Sequence, residues 1–186
     1  FYDGEFGEGL LRIGAGEYVA DDLAASTASW VDALGTRVFG HDVWTVPPNS
    51  QGYLTLLGLR VSEGLDLPED DTDPVAVHGL VESARAAAFD RPDVLHEHAD
   101  VRPLLDDAEV DRRRSWISLD RRSDLTSPRV DGDTMYLCAV DRERMGVSLI
   151  QSNASGFGCH VFEPATGIGL HNRGLGFSLV AGHPAE

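Results

Sequence analysis

The sequence predicts a protein of the α+β class, in which antiparallel strand pairs and helices occupy separate stretches of the chain. Two apolar, β-rich runs, Met135 to Val140 and Val147 to Ile150, flank the charged turn Asp141 to Arg144, as expected for a hairpin. A second pair of β-prone runs lies at Trp30 to Leu34 and Val43 to Val46. Between these two pairs, the chain has mainly helical patterns.

Acidic and proline residues mark where the first helices are predicted to begin. Residues 21–25 are two aspartates followed by Leu-Ala-Ala, which predicts a short helix with carboxylates in its first turn. Pro47 and Pro48 end the second β-prone run, and Asn49 or Ser50 can cap the following helix. The apolar residues of that helix are predicted to face a core: Leu54, Leu57, Leu59 and Val61.

A longer helix is predicted over residues 75–89, after the acidic linker Glu69 to Asp73. Arginine lies on one side of this predicted helix. The apolar residues recur at close to helical spacing on the other side: Val75, Val77, Leu80, Val81, Ala84 and Ala88. The stretch from Asp90 to Asp120 is predicted to be mainly helical and highly charged. The charge run Asp111 to Arg114 is typical of a solvated helix face.

Composition excludes several classes of function. The 186 residues suffice for one domain with a sizeable core, and no apolar run is long enough for a membrane span. With 31 acidic and 15 basic residues, the formal net charge of −16 repels phosphate, so nucleic acid is not an expected partner. The two cysteines, Cys138 and Cys159, define no disulfide framework, and Cys138 is expected to pack as a small apolar group.

The ends of the sequence suggest a piece of a longer protein. It begins at Phe1 rather than at methionine and ends in a polar His-Pro-Ala-Glu tail. No targeting segment is visible, so bacterial periplasmic, secreted and cytoplasmic locations all stay open.

Several motifs occur in an order that resembles one enzyme family. They are the glycine-spaced start Asp3–Gly16, the Pro-Pro-Asn-Ser-Gln-Gly loop at 47–52, the His-x-x-x-Glu helix at 77–91, Thr134 followed by Ala139-Val140-Asp141, and the later Phe157-Gly158, Thr166-Gly167-Ile168, Asn172 and Phe177-Ser178. Their order and spacing resemble the γ-glutamyltransferase (γ-glutamyltranspeptidase) family of N-terminal-nucleophile hydrolases. The match extends over nearly the whole chain.

This resemblance implies that the chain comes from a self-processing precursor. In the family, the precursor cuts itself before a threonine that opens the small subunit and becomes the nucleophile. By that correspondence, cleavage falls between Asp133 and Thr134. Residues 1–133 are then the C-terminal part of the large subunit, and residues 134–186 are the N-terminal part of the small subunit. The implied fold is a four-layer αββα sandwich, with Thr134 at the start of a core strand.

The proposed nucleophile needs a base, and self-cleavage supplies one. A threonine hydroxyl is weakly nucleophilic, but a free α-amine on the same residue has a pKa of about 7.7 to 8.0 and can take its proton near neutral pH. No cofactor or metal is expected for this chemistry. His96 and His98 are an i, i+2 pair that does not face one way on a helix, so they do not indicate a metal site.

The resemblance also assigns residues around the nucleophile. Ser152 lies eighteen residues after Thr134, where the family has a second threonine whose hydroxyl contacts the catalytic one. Three family residues that hold the amino and carboxylate groups of a γ-glutamyl unit are replaced by Ala154, Arg173 and Gly176. Arg173 would repel an α-ammonium group and attract a carboxylate, and it is predicted with Asn172 to bind substrate.

The expected function is therefore hydrolysis or transfer of a γ-glutamyl or glutaryl-type acyl group from a small-molecule amide, through an acyl-threonine intermediate. The large and small subunits of one precursor are the expected protein partners. The alternative is a non-catalytic family member with a binding or structural role. It is motivated by Ala154, by Gly176, and by Met135 and Tyr136, which replace the Thr-His that usually follows the family's nucleophile.

Overall fold

A computed structural model of the chain describes residues 2–14, 16–126 and 134–186. The helices are α1 (Glu5–Ile13), α2 (Ala20–Ala24), α3 (Gly52–Glu63), α4 (Pro74–Ala88), α5 (Arg91–Val94) and α6 (Asp107–Arg114), with short 3₁₀ helices at Arg102–Leu105 and Arg173–Gly176. The strands are β1 (Leu34–Val38), β2 (His41–Thr45), β3 (Met135–Val140) and β4 (Gly146–Gln151). The predicted α+β class is confirmed.

The chain divides into two compact units. One unit is Ser29–Arg129, which holds the β1–β2 pair and helices α3 to α6. The other joins Phe1–Ala28 to Val130–Glu186 and holds α1, α2 and the β3–β4 pair. The described strands form two separate antiparallel pairs. The four-layer sandwich and the subunit boundary at residue 134 both stay predictions.

The first strand pair differs from its prediction. The sequence predicts a strand over Trp30 to Leu34, but β1 begins only at Leu34. The predicted strand at Val43 to Val46 overlaps most of its length with β2. A tight turn at Phe39 and Gly40 fixes the pairing, with φ of 50° and 77°. Two successive positive φ values match the twist of a short hairpin, so the strands must flank this turn.

Helix α3 contributes buried residues to both hydrophobic clusters of its unit, but its start was predicted wrongly. The capping residue is Gln51 rather than Asn49 or Ser50, and the Ser50 hydroxyl instead accepts a hydrogen bond from the Gly52 N–H at 3.3 Å. Of the predicted core residues, Leu57 and Val61 are buried and Leu54 and Leu59 are partly buried. Tyr53 and Leu56, which the prediction omitted, are also buried.

Helix α4 has the predicted extent but buries the opposite face. Asp73 caps it by accepting a hydrogen bond from the Val75 N–H at 2.7 Å, and Pro74 occupies the first turn. Most of the apolar residues predicted as one face are exposed: Val75, Val77, Leu80, Val81 and Ala84. The buried residues are Ala76, Gly79, Glu82, Ser83, Ala86 and Ala87. Small side chains let two helices approach closely. Because these side chains are only weakly hydrophobic, the spacing of strongly apolar residues does not reveal the face that they form.

The charge run in α6 is not entirely solvated, which corrects the prediction for Asp111 to Arg114. The Arg113 side chain is fully buried. Its guanidinium donates to Asp90 at 2.6 Å and to Glu109 at 2.7 Å, and to the Ala86 carbonyl at 2.9 Å. Charge spacing within one helix could not reveal this site, because Asp90 lies outside that helix. Between Asp90 and Asp120, only α5, the 3₁₀ turn and α6 are helical.

The second hairpin confirms its prediction. β3 and β4 pair antiparallel from Met135 opposite Gln151 to Val140 opposite Gly146. The Asp141 carboxylate closes the turn by accepting backbone hydrogen bonds from Glu143 and Met145, each at 2.9 Å. Every residue of both strands is exposed. Across the part of the chain that is described, no helix has the length and apolarity to span a bilayer.

Candidate active site

The register of the β3–β4 pair brings the two predicted catalytic hydroxyls together. Met135 pairs with Gln151 in the last rung, so Thr134 and Ser152 lie opposite each other one step beyond it. Side chains at opposite positions of an antiparallel pair are close enough to interact. The Thr134 hydroxyl donates a hydrogen bond to the Ser152 hydroxyl oxygen at 2.9 Å. A side-chain contact between residues eighteen positions apart thus results directly from the hairpin.

Ser152 is held in place by the loop that follows it. The N–H of Ala154 donates to the Ser152 hydroxyl oxygen at 3.1 Å, which closes a small turn. Ala154 has a φ of 76°, which lies in the left-handed region of backbone conformation. Residues other than Gly, Asn and Asp rarely adopt this conformation. The backbone at this position therefore serves to aim an N–H at Ser152 despite a local conformational cost.

Asn172 ties both ends of the glycine-rich loop together. Its side-chain oxygen accepts from the Ser155 N–H at 2.9 Å, and its side-chain nitrogen donates to the carbonyls of Ser155 and Gly158 at 3.0 and 3.2 Å. Its own N–H donates to the Asn153 carbonyl at 3.1 Å. These contacts stabilise the loop after Ser152, so a substrate contact by Asn172 stays a prediction.

Arg173 extends toward the same loop from the start of the 3₁₀ turn Arg173–Gly176. One of its terminal nitrogens lies 3.5 Å from the Ser152 carbonyl oxygen, at the long limit of a hydrogen bond. The side chain is exposed, and the Arg173 N–H donates to a ring nitrogen of His171 at 3.2 Å. The guanidinium is thus a positive charge within reach of groups that approach the paired hydroxyls.

The remaining predicted positions are located as follows. Met135 and Tyr136 are exposed at the start of β3. Gly176 closes the 3₁₀ turn, and a Cβ added there would meet open space. Asp133, the residue before the predicted cleavage point, lies outside the described residues.

One buried carboxylate in the same unit was not predicted. Glu163 accepts hydrogen bonds from the backbone N–H and the hydroxyl of Thr166, both at 2.7 Å, and from the Ala165 N–H at 3.1 Å. These bonds from Thr166 hold the pKa of the Glu163 carboxyl below its ordinary value. A Cβ at Gly9 of α1 would come within 2.3 Å of the Glu163 side chain. The Glu-x-x-Thr spacing is the sequence signal for this turn.

Within residues 2–14, 16–126 and 134–186, no group of three or more His, Cys, Asp or Glu side chains is arranged to hold a metal ion. His96 and His98 contact each other locally, since the His98 N–H donates to a ring nitrogen of His96 at 3.3 Å.

Comparisons with known proteins show the family of this chain. The family model described as Gamma-glutamyltranspeptidase matches residues 1–185, and the chain belongs to that family. The chain is 32% identical to the glutathione hydrolase-like YwrD proenzyme of Bacillus subtilis, over 98% of this chain and 36% of that protein. It is 30% identical to the oxamate amidohydrolase proenzyme of Klebsiella pneumoniae, again over 98% of this chain and 36% of that protein.

A solved structure shows the same fold. The crystal structure of cephalosporin acylase from Bacillus halodurans superposes with a TM-score of 0.77 and 30% sequence identity. The match covers 100% of this chain and 36% of that chain. The chain therefore spans about a third of the length of the relatives that it matches.

Proposed function

We propose that the protein to which this chain belongs is a self-processing enzyme that hydrolyses or transfers an acyl group from an amide, with Thr134 as its nucleophile. The observation that carries the proposal is the 2.9 Å hydrogen bond between the Thr134 and Ser152 hydroxyls at the end of the β3–β4 hairpin. Family membership supports it, as do the matched relatives, two of which are named proenzymes.

The first reaction would be cleavage of the chain itself. The Thr134 hydroxyl oxygen attacks the carbonyl carbon of Asp133, and the bond from that carbon to the Thr134 nitrogen breaks. The proton lost by the hydroxyl ends on the nitrogen, and the acyl group is left as an ester on Thr134. Water then hydrolyses the ester, which releases the Asp133 carboxyl group and restores the Thr134 hydroxyl, while the α-amine freed in the previous step stays on Thr134. Residues 1–133 and 134–186 thereby become parts of separate subunits.

The second reaction uses the amine that the first one frees. The neutral α-amine of Thr134 takes the proton from its own hydroxyl as the oxygen attacks the carbonyl carbon of the donor amide. The amine then passes this proton to the departing nitrogen, and an acyl-threonine ester forms. Water or an acceptor amine attacks the ester and removes the acyl group. Ser152 limits the rotation of the Thr134 side chain, so that its oxygen is oriented in both reactions.

The donor is proposed to carry a free carboxylate. Arg173 supplies a positive charge near the hydroxyl pair, and a guanidinium binds carboxylates through paired hydrogen bonds. Ala154 and Gly176 offer no side-chain oxygen that could accept bonds from an α-ammonium group. A glutaryl-type donor, which lacks that ammonium, therefore suits these residues better than a γ-glutamyl donor. The proposed architecture is the family's four-layer αββα sandwich, with the β3–β4 hairpin within it.

The test is amide hydrolysis by the full-length gene product. Glutaryl and γ-glutamyl p-nitroanilides release the same chromophore, so their kcat/KM values compare the acyl groups alone. We expect turnover of the glutaryl compound to be faster and to disappear in Thr134→Ala. Folded wild-type protein that hydrolyses neither compound and remains uncut would favour the non-catalytic alternative, a binding or structural role.

A further inference from the structure

The turn that follows Ser152 is held at the peptide group before Ala154. This group consists of the Asn153 carbonyl and the Ala154 N–H, which lie in one plane and point in opposite directions. Its N–H donates to the Ser152 hydroxyl oxygen at 3.1 Å, and its carbonyl accepts from the Asn172 N–H at 3.1 Å. The direction of the Ala154 N–H is therefore set, at the far end of the same peptide group, by Asn172.

The side chain of Asn172 holds the chain on the other side of Ala154. Its amide oxygen accepts from the Ser155 N–H at 2.9 Å. Its amide nitrogen donates to the Ser155 carbonyl at 3.0 Å and to the Gly158 carbonyl at 3.2 Å. One residue thus contacts the peptide groups before and after Ala154, and the orientations of those two groups determine both backbone dihedral angles of Ala154.

These contacts explain how Ala154 keeps an unfavourable conformation. Its φ of 76° lies in the left-handed region, where a Cβ crowds the following carbonyl. A residue in such a conformation persists only where the surrounding structure determines it. Without the side-chain bonds of Asn172, we expect Ala154 to relax toward a more common conformation and its N–H to turn away from Ser152.

Asn172 is itself held in place by the segment that precedes it. The Leu170 carbonyl accepts from the Cys159 N–H at 3.1 Å, and the Leu170 N–H donates to the Val161 carbonyl at 2.9 Å. Gly158 has a φ of 75°, and a Cβ there would lie 2.2 Å from the Leu170 carbonyl oxygen, so this close approach requires glycine. The Asn172 side chain therefore projects from a segment that is already paired with the loop that it holds.

The hydrogens of the Asn172 amide are in use within this loop. An amide nitrogen carries two hydrogens, and the carbonyls of Ser155 and Gly158 accept both of them. A carboxylate or carbonyl of a substrate needs a hydrogen-bond donor, which this side chain gives to the loop instead. The contacts therefore favour a role in shaping the turn over a direct contact with substrate.

We propose that Asn172 is a positioning residue for the reactions of Thr134. It fixes the turn at Ala154, whose N–H fixes the Ser152 hydroxyl. Ser152 in turn orients the Thr134 hydroxyl, which it contacts at 2.9 Å. This rests on the proposed function, in which Thr134 is the nucleophile of both self-cleavage and amide turnover. Both reactions should therefore depend on Asn172, although self-cleavage involves no external substrate.

Two variants of Asn172 remove its hydrogen bonds in different ways. Asn172→Leu removes all three side-chain bonds, keeps the backbone N–H, and leaves the side chain close to its original size. Asn172→Asp has nearly the same shape and keeps the acceptor for the Ser155 N–H, but its charge repels the two carbonyls. It is therefore expected to fold even where Asn172→Leu fails.

The matched control is Thr166→Val, in the same compact unit. It removes the hydroxyl that donates to the Glu163 carboxylate at 2.7 Å and keeps the backbone bond to the same carboxylate, also at 2.7 Å. Among the described residues, Thr166 has no hydrogen bond to Ser152 or Asn172. This variant therefore loosens the same part of the chain without touching the turn at Ala154.

The experiment measures self-cleavage of freshly synthesised full-length protein by intact mass, and kcat and KM of the cleaved protein on glutaryl p-nitroanilide. We expect both Asn172 variants to cleave about tenfold more slowly and to lose about tenfold in kcat, because small displacements of reacting groups have effects of that size. Their KM should stay within about twofold of wild type. Thr166→Val should stay within about twofold of wild type in all three quantities.

A double-mutant cycle tests whether Asn172 acts through Ser152. In the Ser152→Ala background, the hydroxyl that Asn172 helps to position is already absent. Addition of Asn172→Leu should then slow self-cleavage by less than about twofold. The same tenfold slowing as in wild type would mean that Asn172 acts by another route, and it would overturn the proposal.

The outcomes separate this proposal from the proposed function. A raised KM with unchanged kcat and self-cleavage would make Asn172 a substrate contact and overturn its positioning role. Unchanged rates in both Asn172 variants, or equal slowing in Thr166→Val, would also overturn it and leave Thr134 as the nucleophile. A folded wild type that never cleaves would instead contradict the proposed function, and the role of Asn172 with it.

Hydrogen exchange gives a second readout that needs no activity. In the uncut Thr134→Ala background, we expect the Ala154 and Ser155 amides to exchange faster when Asn172→Leu is added and to stay protected when Thr166→Val is added. Equal protection in both would overturn the proposal that Asn172 fixes this turn.

Discussion

The hydroxyl oxygens of Thr134 and Ser152 lie 2.9 Å apart because each residue stands one step past the same end of the β3–β4 ladder. The two side chains need no long-range packing to meet, since the Met135 to Gln151 rung fixes their separation. The Ala154 N–H then holds the Ser152 oxygen at 3.1 Å. The pair is thus a property of the hairpin and of the turn that follows it.

Removal of the Ser152 hydroxyl should slow both self-cleavage and amide turnover. Without its partner, the Thr134 side chain samples more rotamers, and we expect rate losses of about 10- to 100-fold in Ser152→Ala. Ser152→Thr keeps the hydroxyl and should retain most of both rates. The control is Ser148→Ala, which removes another hydroxyl of the same hairpin. The Ser148 hydroxyl lies 3.4 Å from the Tyr136 hydroxyl and does not contact Thr134. If Ser152→Ala matched Ser148→Ala in both rates, Ser152 would have no part in the chemistry.

Introduction of a carboxylate at position 176 should shift donor preference. A side chain at Gly176 meets open space, and its φ lies outside the left-handed region, so Gly176→Asp should fold normally. The new carboxylate can pair with an α-ammonium group and should raise the ratio of γ-glutamyl to glutaryl kcat/KM by about tenfold. Gly174→Asp adds the same charge in the same turn, also in open space, and is the matched control. An equal change in both variants would point to overall charge rather than to a specific contact.

Truncation of Arg113 should destabilise its unit far more than truncation of its neighbour. Arg113→Met leaves Asp90 and Glu109 without their buried partner, and we expect the free energy of unfolding to fall by about 3–5 kcal/mol. Arg112→Met removes an ion pair to Glu109 in which the Arg112 side chain is 53% exposed, and it should cost less than about 1 kcal/mol. Denaturant unfolding measures both values. Similar losses in the two variants would contradict the burial of Arg113.

The local pattern of the sequence was sufficient to predict the β3–β4 hairpin. Apolar β-rich runs flanked a charged turn, and Asp141 closes that turn with its own carboxylate, so all the determinants lie within seventeen residues. The Thr134–Ser152 pair was predicted only through the family resemblance. Neither residue type is distinctive by itself, and their contact depends on a register that the residues alone do not fix.

The errors arose where distant residues decide the structure. Hydrophobic spacing favoured the Val75 and Leu80 side of α4, but the close approach of α3 selects the small residues on the other side. Charge spacing placed Arg113 in solvent, because nothing within α6 indicates that Asp90 completes its site. The contact of Arg85 with Leu125 joins residues forty positions apart, and the sequence holds no local signal for it.

The central claim is that Thr134 becomes an N-terminal nucleophile, and a denaturing intact-mass spectrum of the folded full-length gene product tests it most directly. We expect wild type to give two chains, the smaller beginning at Thr134, and Thr134→Ala to give one uncut chain. Thr134→Ser keeps a hydroxyl and should still be cut at the same bond. A single uncut wild-type chain, or a Thr134→Ala protein cut like wild type, would contradict the account.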